Sequence, residues 1–512
     1  MTPGQLARRF ATVSGWTLLS RILGLIRDRY AGSLFGDSLA LSAFYSAFQL
    51  PNLMRNLLGE GALSLAFLPR YTRLHERRPA VAAAFAGRVL SRLAVLLAVL
   101  TMAGSALATA VLYWGGGRWA LVAALALPQI PYLWLSCMSA QLGGMLNAHG
   151  RFAIPVAMAV VFNCIFLTAL WLGQSVSWLP WAVLTAGLVT CAIHLLAVWS
   201  VGVRIVPRWR ADQRYRDLRQ ALGPTILAGG AQQIGVAMES FLALWLVVPI
   251  YGGAVTVLFF ANRLLQFPTA LVGNATNVAV YPELARAHVH GGTAAQVPLL
   301  RAACHQLSWW LVPASVGLIL VADPSVRVIY QTGAFGDLAV QRTVLCTQLL
   351  ALGLLPLAVG RLLVRAVHAG GDAAAPLRLA GAVLLVQLVL GLALVVSPLA
   401  EAGLALAGAL SNVAMMTGAI WLVRRRGGVG LIPWRVLAGL VVAAGVMTIA
   451  VLMAQAGLRR ASADAFLGLH VWSPWWLNFA ELVVSLVAGG GSYLLVTRLL
   501  SVRRKSAIQD RP

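Results

Sequence analysis

The chain has 512 residues, 60% of them hydrophobic and only 11% charged, with a mean hydropathy of +0.82. An ordinary soluble domain is about 25% charged, so a soluble globular protein is excluded and an all-α polytopic membrane protein is expected. Lys and Arg number 39 against 15 Asp and Glu; they sit mostly in short links between apolar runs, which assigns the +24 balance to positive-inside topology and not to a nucleic-acid partner.

About 20 apolar residues suffice to cross a bilayer. Fourteen such runs are predicted, at 10–35, 39–67, 84–113, 118–147, 153–173, 179–203, 219–249, 254–281, 298–322, 342–368, 376–397, 402–423, 434–456 and 475–500. The second and eighth are the most polar. No short apolar core with a small-residue cleavage site opens the chain, so no signal peptide is expected. Basic clusters at Arg8/Arg9, Arg70 to Arg78, Arg204 to Arg219, Arg424 to Arg426 and Arg503 to Lys505 fall on one side of a fourteen-span chain, and the positive-inside rule places both termini in the cytoplasm.

An internal repeat divides the chain. Asn147 to Pro155 closes the fourth span and opens the fifth, and His368 to Pro376 does the same for the tenth and eleventh, 221 residues later. Phe67-Leu-Pro69 and Val280-Tyr-Pro282 likewise close the second and eighth spans. The expected architecture is two pseudo-symmetric six-helix lobes, 1–210 and 211–426, around a central cavity. Two C-terminal helices (427–500) and a cytoplasmic tail (501–512) follow.

The informative residues are ionisable ones within these runs, since each costs roughly 2.5–3.5 kcal/mol at the centre of a bilayer. The first span holds Arg21, Arg27 and Asp28. Arg21 and Asp28 are seven apart, near one face of a helix, while Arg27 points about 120° from Arg21. All three share one cavity only if the helix bends, with Gly24 as the bend; the alternative is Arg21–Asp28 neutralisation with Arg27 snorkelling. The second span contains Pro51, Arg55 and Gly59-Glu60-Gly61, the marks of a broken helix; the eighth matches it with Asn262-Arg263, Pro268 and Asn274. Arginine forks in such a setting suit the oxygens of a diphosphate. Glu239 has two open readings, an ion or proton site or the counter-ion of a cavity arginine.

No nucleophile with its base is present. The five cysteines lack CxxC spacing and read as buried small residues, so neither a metal nor a cofactor is expected.

Ser20-Arg-Ile-Leu-Gly-Leu-Ile-Arg-Asp28, Leu50-Pro-Asn-Leu-Met-Arg55 with Gly59 to Pro69, Phe260 to Pro268 and Gln331-Thr-Gly-Ala-Phe-Gly336 together resemble the MurJ (MviN) family. These are the lipid II flippases of the multidrug/oligosaccharidyl-lipid/polysaccharide exporter superfamily, and the resemblance covers nearly the whole chain. It implies translocation of a polyprenyl-diphosphate-linked peptidoglycan precursor across a bacterial inner membrane by alternating access, without covalent chemistry. Arg21, Arg27, Arg55 and Arg263 match the family's cavity arginines, expected to hold the diphosphate; Asp28, Glu60 and Glu239 are candidates for charge balance or coupling. Spans 13 and 14 would form a groove for the lipid tail, and other cell-wall synthesis proteins are possible partners. Where many members carry charged residues, this chain has Ser42, Gln49, Asn262 and Gln266. That departure keeps two alternatives open, export of another polyprenyl-diphosphate-linked sugar or a non-transporting scaffold. The energy source, membrane potential or a coupling ion, is also left open.

Overall fold

A computed structural model describes residues 3–509, except 60–61, 211, 249–251, 371, 373, 428–429, 432–433 and 467–473. All regular structure among the described residues is helical. In chain order the helices are α1 (Pro3–Phe35), α2 (Leu39–Met54), α3 (Ala62–Arg77), α4 (Pro79–Trp114), α5 (Gly117–Ala126), α6 (Ile130–Ala148), α7 (Ala153–Gly173), α8 (Leu179–Ser200) and α9 (Gln213–Leu242). There follow α10 (Ala254–Pro268), α11 (Ala275–Leu320), α12 (Ala322–Tyr330), α13 (Asp337–Leu352), α14 (Leu354–Ala369), α15 (Ala374–Val395), α16 (Glu401–Arg424), α17 (Trp434–Phe466) and α18 (Pro474–Gln509). π-Helical turns occupy Arg55–Gly59, Ala243–Val247 and Thr269–Asn274. The order helix, π turn, helix thus occurs in α2–α3 and again in α10–α11. Gly291 and Gly292 leave helical geometry and break α11.

Ten helical segments among the described residues are long and apolar enough to cross a membrane: 79–114, 117–148, 153–173, 176–200, 283–320, 337–369, 374–395, 401–424, 438–462 and 474–500. They correspond to the third to sixth and ninth to fourteenth predicted spans. The four others carry the candidate residues. Polarity was expected to weaken the second and eighth; the first and seventh fall short as well, and α1 shows why, with Arg21, Arg27, Asp28 and Arg29 in nine positions.

The chain forms two compact units, 1–256 with 332–335, and 257–331 with 336–512. In the first, Phe67, Tyr71 and Phe85 stack with ring centroids 5.6 and 5.7 Å apart at the centre of an apolar cluster. Its outer helix faces are apolar too, with Leu96, Val99 and Leu107 of α4 exposed, as lipid contact requires. Exposed Trp114, Trp171 and Trp178 mark the end of α4, the end of α7 and the approach to α8. Alternating spans put those three on one side, as a tryptophan belt would be.

In the second unit one cluster is built on Leu300, Leu307, Leu354 and Leu363. Another joins α17 to α18 through Met447, Val451 and Tyr493, whose hydroxyl donates to the Trp309 carbonyl at 2.7 Å. Local chemistry sets the helix starts. Ser38 caps α2 by accepting from Leu41 N–H, and Asp212 caps α9 by accepting from Tyr215 N–H. Asp372 caps α15, accepting from Ala374 and Ala375 N–H at 2.9 and 3.0 Å. The Ala375 N–H and then the Arg426 guanidinium help hold its carboxyl below the usual carboxylate range.

Candidate functional site

Helix α1 runs unbroken from Pro3 to Phe35, with no break in the helix at Gly24. Arg27 is 9% exposed and Asp28 1%. The guanidinium folds back onto its neighbour, with Nε and Nη2 donating to Asp28 Oδ1 at 2.9 and 2.6 Å. Asn163, from α7, completes the enclosure. Its Oδ1 accepts from Arg27 Nη1 at 3.1 Å while its Nδ2 donates to the Ser20 carbonyl at 3.0 Å. The Phe166 ring, one turn further along α7, lies 5.0 Å from Arg27 Cζ. Asp28 is therefore paired with Arg27 and not with Arg21. Three of the five guanidinium N–H donors are committed, and two remain for another acceptor. Arg21 is exposed on the same helix and makes no hydrogen bond or ion pair among the described residues.

Pro51 lacks an N–H and crowds the turn before it. Helix α2 ends three residues later, at Met54, in the π turn that begins at Arg55. Arg55 Nη2 donates to Asn52 Oδ1 at 3.0 Å, and Asn56 Nδ2 to Gln233 Oε1 of α9 at 3.1 Å. The Met54 carbonyl receives the Cys137 thiol at 3.6 Å, which gives that buried cysteine a structural role. Cys164, by contrast, is exposed, against the expectation of burial. Glu60 lies outside the described residues. Glu239 stands one turn before the second π turn, its Oε1 enclosed and without a hydrogen-bond partner among the described residues.

In the second unit Arg263 donates through Nη1 to Gln266 Oε1 at 3.2 Å and lies 5.1 Å from the Phe259 ring centroid. The neutral companions are thus not idle. Gln266 serves Arg263, and Asn262 Nδ2 donates to the Leu258 carbonyl. In the first unit fully buried Ser42 bonds Thr256 through Oγ at 3.0 Å, and Gln49 is half-buried.

The remaining motifs fasten loops. Ala334 N–H donates to the Ser33 carbonyl at 2.8 Å, and Gly36, with φ +59°, leaves no room for a Cβ, which would lie 2.6 Å from the Ala334 oxygen. In the other unit Arg327 Nη1 reaches Gln331 Oε1 at 3.2 Å and Asp337 Oδ1 at 2.9 Å, spanning the two ends of Gln331 to Gly336. At the end of α6, His149 Nε2 lies 3.0 Å from the Tyr71 hydroxyl and its ring 4.1 Å from that of His75. Burial pushes Tyr71 up to about 12, while burial and then the charge of His75 hold His149 below its ordinary value.

Sequence reasoning missed Asn163 and Phe166, whose only signal was a lone amide in an apolar run. It also missed Arg361 and Arg365 of α14, which carry the signal that singled out Arg21, cations inside a span.

The family model for lipid II flippase MurJ matches residues 31–472. A probable lipid II flippase MurJ from Vibrio cholerae serotype O1 is 28% identical over 530 residues, covering 96% of each chain. One from Rhizobium meliloti is 30% identical over 443 residues, covering 81% of each. The solved structure of a lipid II flippase MurJ in an inward closed conformation has a TM-score of 0.76 at 18% identity, covering 97% of this chain and 99% of that one. An inward-facing multidrug resistance transporter of the MATE family, MOP superfamily, follows at 0.65 and 16%, covering 80% and 94%. With a match that spans most of its length, the chain belongs to the lipid II flippase MurJ family.

Proposed function

We propose that this protein flips lipid II, the polyprenyl-diphosphate-linked peptidoglycan precursor, from the cytoplasmic to the outer leaflet of a bacterial inner membrane by alternating access. The family match over residues 31–472 carries the reading. The placement of Arg21, Arg27, Arg55 and Arg263 in three of the four spans least suited to lipid supports it. These arginines would hold the diphosphate. Asp28 would balance Arg27, and Glu60 and Glu239 would balance or couple the rest. No covalent step is assigned, and the driving force is membrane potential or a coupling ion.

The same reading takes fourteen spans, both termini in the cytoplasm, and lobes at 1–210 and 211–426 followed by a lipid-tail groove in 427–500. Its support is the recurrent helix, π turn, helix order and the helix ends at Ala148/Ala153 and Ala369/Ala374, which repeat after 221 residues. Because α9 belongs to the first compact unit, the division at 210 is one of repeat and not of packing.

The test is rescue of a bacterium depleted of its own flippase. Rescue is expected from the wild type and loss of rescue from Arg27→Ala or Arg55→Ala at normal membrane insertion. A well-inserted wild type that fails to rescue overturns the assignment. Neutral Ser42, Gln49, Asn262 and Gln266 favour a second reading, another polyprenyl-diphosphate-linked sugar as cargo; tighter binding of such a lipid than of lipid II would establish it.

A further inference from the structure

Helix α14 buries Leu354, Pro356, Ala358, Val359, Gly360, Leu362, Leu363, Ala366 and Val367 against its neighbours. Of the seven positions left over, Leu355, Val364 and Ala369 pack half-buried against the same apolar cluster, and Leu357, Arg361, Arg365 and His368 fall within a sector of about 80°. The open face of a membrane-crossing segment therefore carries two guanidiniums and an imidazole. A lipid-facing stripe looks different: α15 exposes Leu385, Val389 and Leu392. A cationic face at this depth is directed at water or at a polar partner.

No such partner lies among the described residues. Arg361 Nε is enclosed without an acceptor, and among the described residues neither Arg361 nor Arg365 has a hydrogen bond or a carboxylate. The two are one turn apart and repel each other. Tyr281 of α11 interacts electrostatically with Arg365 but brings no carboxylate. Arg365 lies about 6 Å of helix rise from the end of α14 and can snorkel; Arg361, at about 12 Å, is held deeper. The same unit does cage arginines elsewhere: Arg342 of α13 is ion-paired with Glu401 of α16, both largely buried. Leaving Arg361 unpaired is thus particular to this face.

We infer that Arg361 and Arg365 form a second oxyanion-binding site, within the second unit, that receives a carboxylate or phosphate oxygen of the cargo headgroup. Two guanidiniums one turn apart can share an oxyanion between them through charge-assisted hydrogen bonds. The inference rests on the flippase reading for the identity of the cargo.

The test uses the full chain in lipid nanodiscs, titrated with lipid II and with the same polyprenyl-diphosphate disaccharide lacking its peptide. Arg361→Gln and Arg365→Gln are each expected to weaken binding about tenfold or more. Weakening confined to the peptide-bearing lipid identifies a carboxylate as the ligand; equal weakening for both identifies the diphosphate. Unchanged affinity in both variants overturns the inference while leaving the flippase reading standing. A wild type that binds neither lipid overturns the flippase reading and this cargo site with it. Ligand-free Arg361→Gln is expected to melt no lower than the wild type, because it removes an unpaired charge. A lower Tm in both Arg361→Gln and Arg361→Lys assigns a structural role instead and overturns the inference. If Arg361→Gln does not insert, Arg365→Gln decides.

Discussion

Arg27 in the first unit has an acid on the next residue, an amide from α7 and an aromatic ring beside it. Arg361 in the second has another arginine one turn away and no acceptor among the described residues. Both guanidiniums are largely withdrawn from solvent within helices, so the cost of removing each from water is similar in kind. In the first unit the protein itself offsets that cost; in the second it is left for a ligand. The contrast separates a cation that shapes its helix from one that waits for an anion.

The largest effect should come from breaking the cage. Asp28→Asn leaves Arg27 buried without its counter-charge and is expected to cost about 3–5 kcal/mol, read as a lower Tm of the purified protein. Glu401→Gln should cost a similar amount by exposing Arg342 to the same problem, and equal Tm values in both variants and wild type would erase the distinction between caged and waiting arginines. Asn163→Ala should cost less, about 1.5–3 kcal/mol for a hydrogen bond to a charged group, and should lower rescue while Arg27 and Asp28 remain paired. Rescue and stability both at wild-type level would remove Asn163 from the site. Arg361→Gln sits at the opposite pole, weaker in cargo binding with no loss of Tm.

The smallest effect concerns acid. Burial and then His75 keep His149 neutral in the folded protein below the ordinary histidine value of 6.5. The unfolded chain binds that proton more readily, so stability is full above about 6.5 and is lost as pH falls through the folded value. The wild-type Tm should fall on acidification below 6.5, and His149→Gln should flatten the fall. An unchanged slope would show that the cluster at the end of α6 does not titrate there.

Periodicity and length made the ten apolar segments plain, because hydrophobic burial in lipid acts on the average composition of a span. The costly arginines of the first, second and eighth spans were legible as violations of that average. What they touch was not. Asn163 is 136 residues from Arg27, and nothing local links them. The bend assigned to Gly24 was unnecessary because adjacent Arg27 and Asp28 can meet through the length of the arginine side chain. Arg361 and Arg365 were passed over because cations near the end of a span resemble topology signals. Only the packing of the other side chains of α14 against the apolar cluster singles out the face that carries them.

The three π turns each hold one residue more than an α-helix needs over the same stretch, which makes them points of register. Removing a single residue from Arg55–Gly59 would let α2 continue as ordinary helix and turn everything beyond it by about 100°. Asn56 would then lose its alignment with Gln233, though no side chain had been changed in chemistry. The length of these short turns, as much as the identity of their residues, is therefore under constraint, and a one-residue deletion there should prove more damaging than most substitutions.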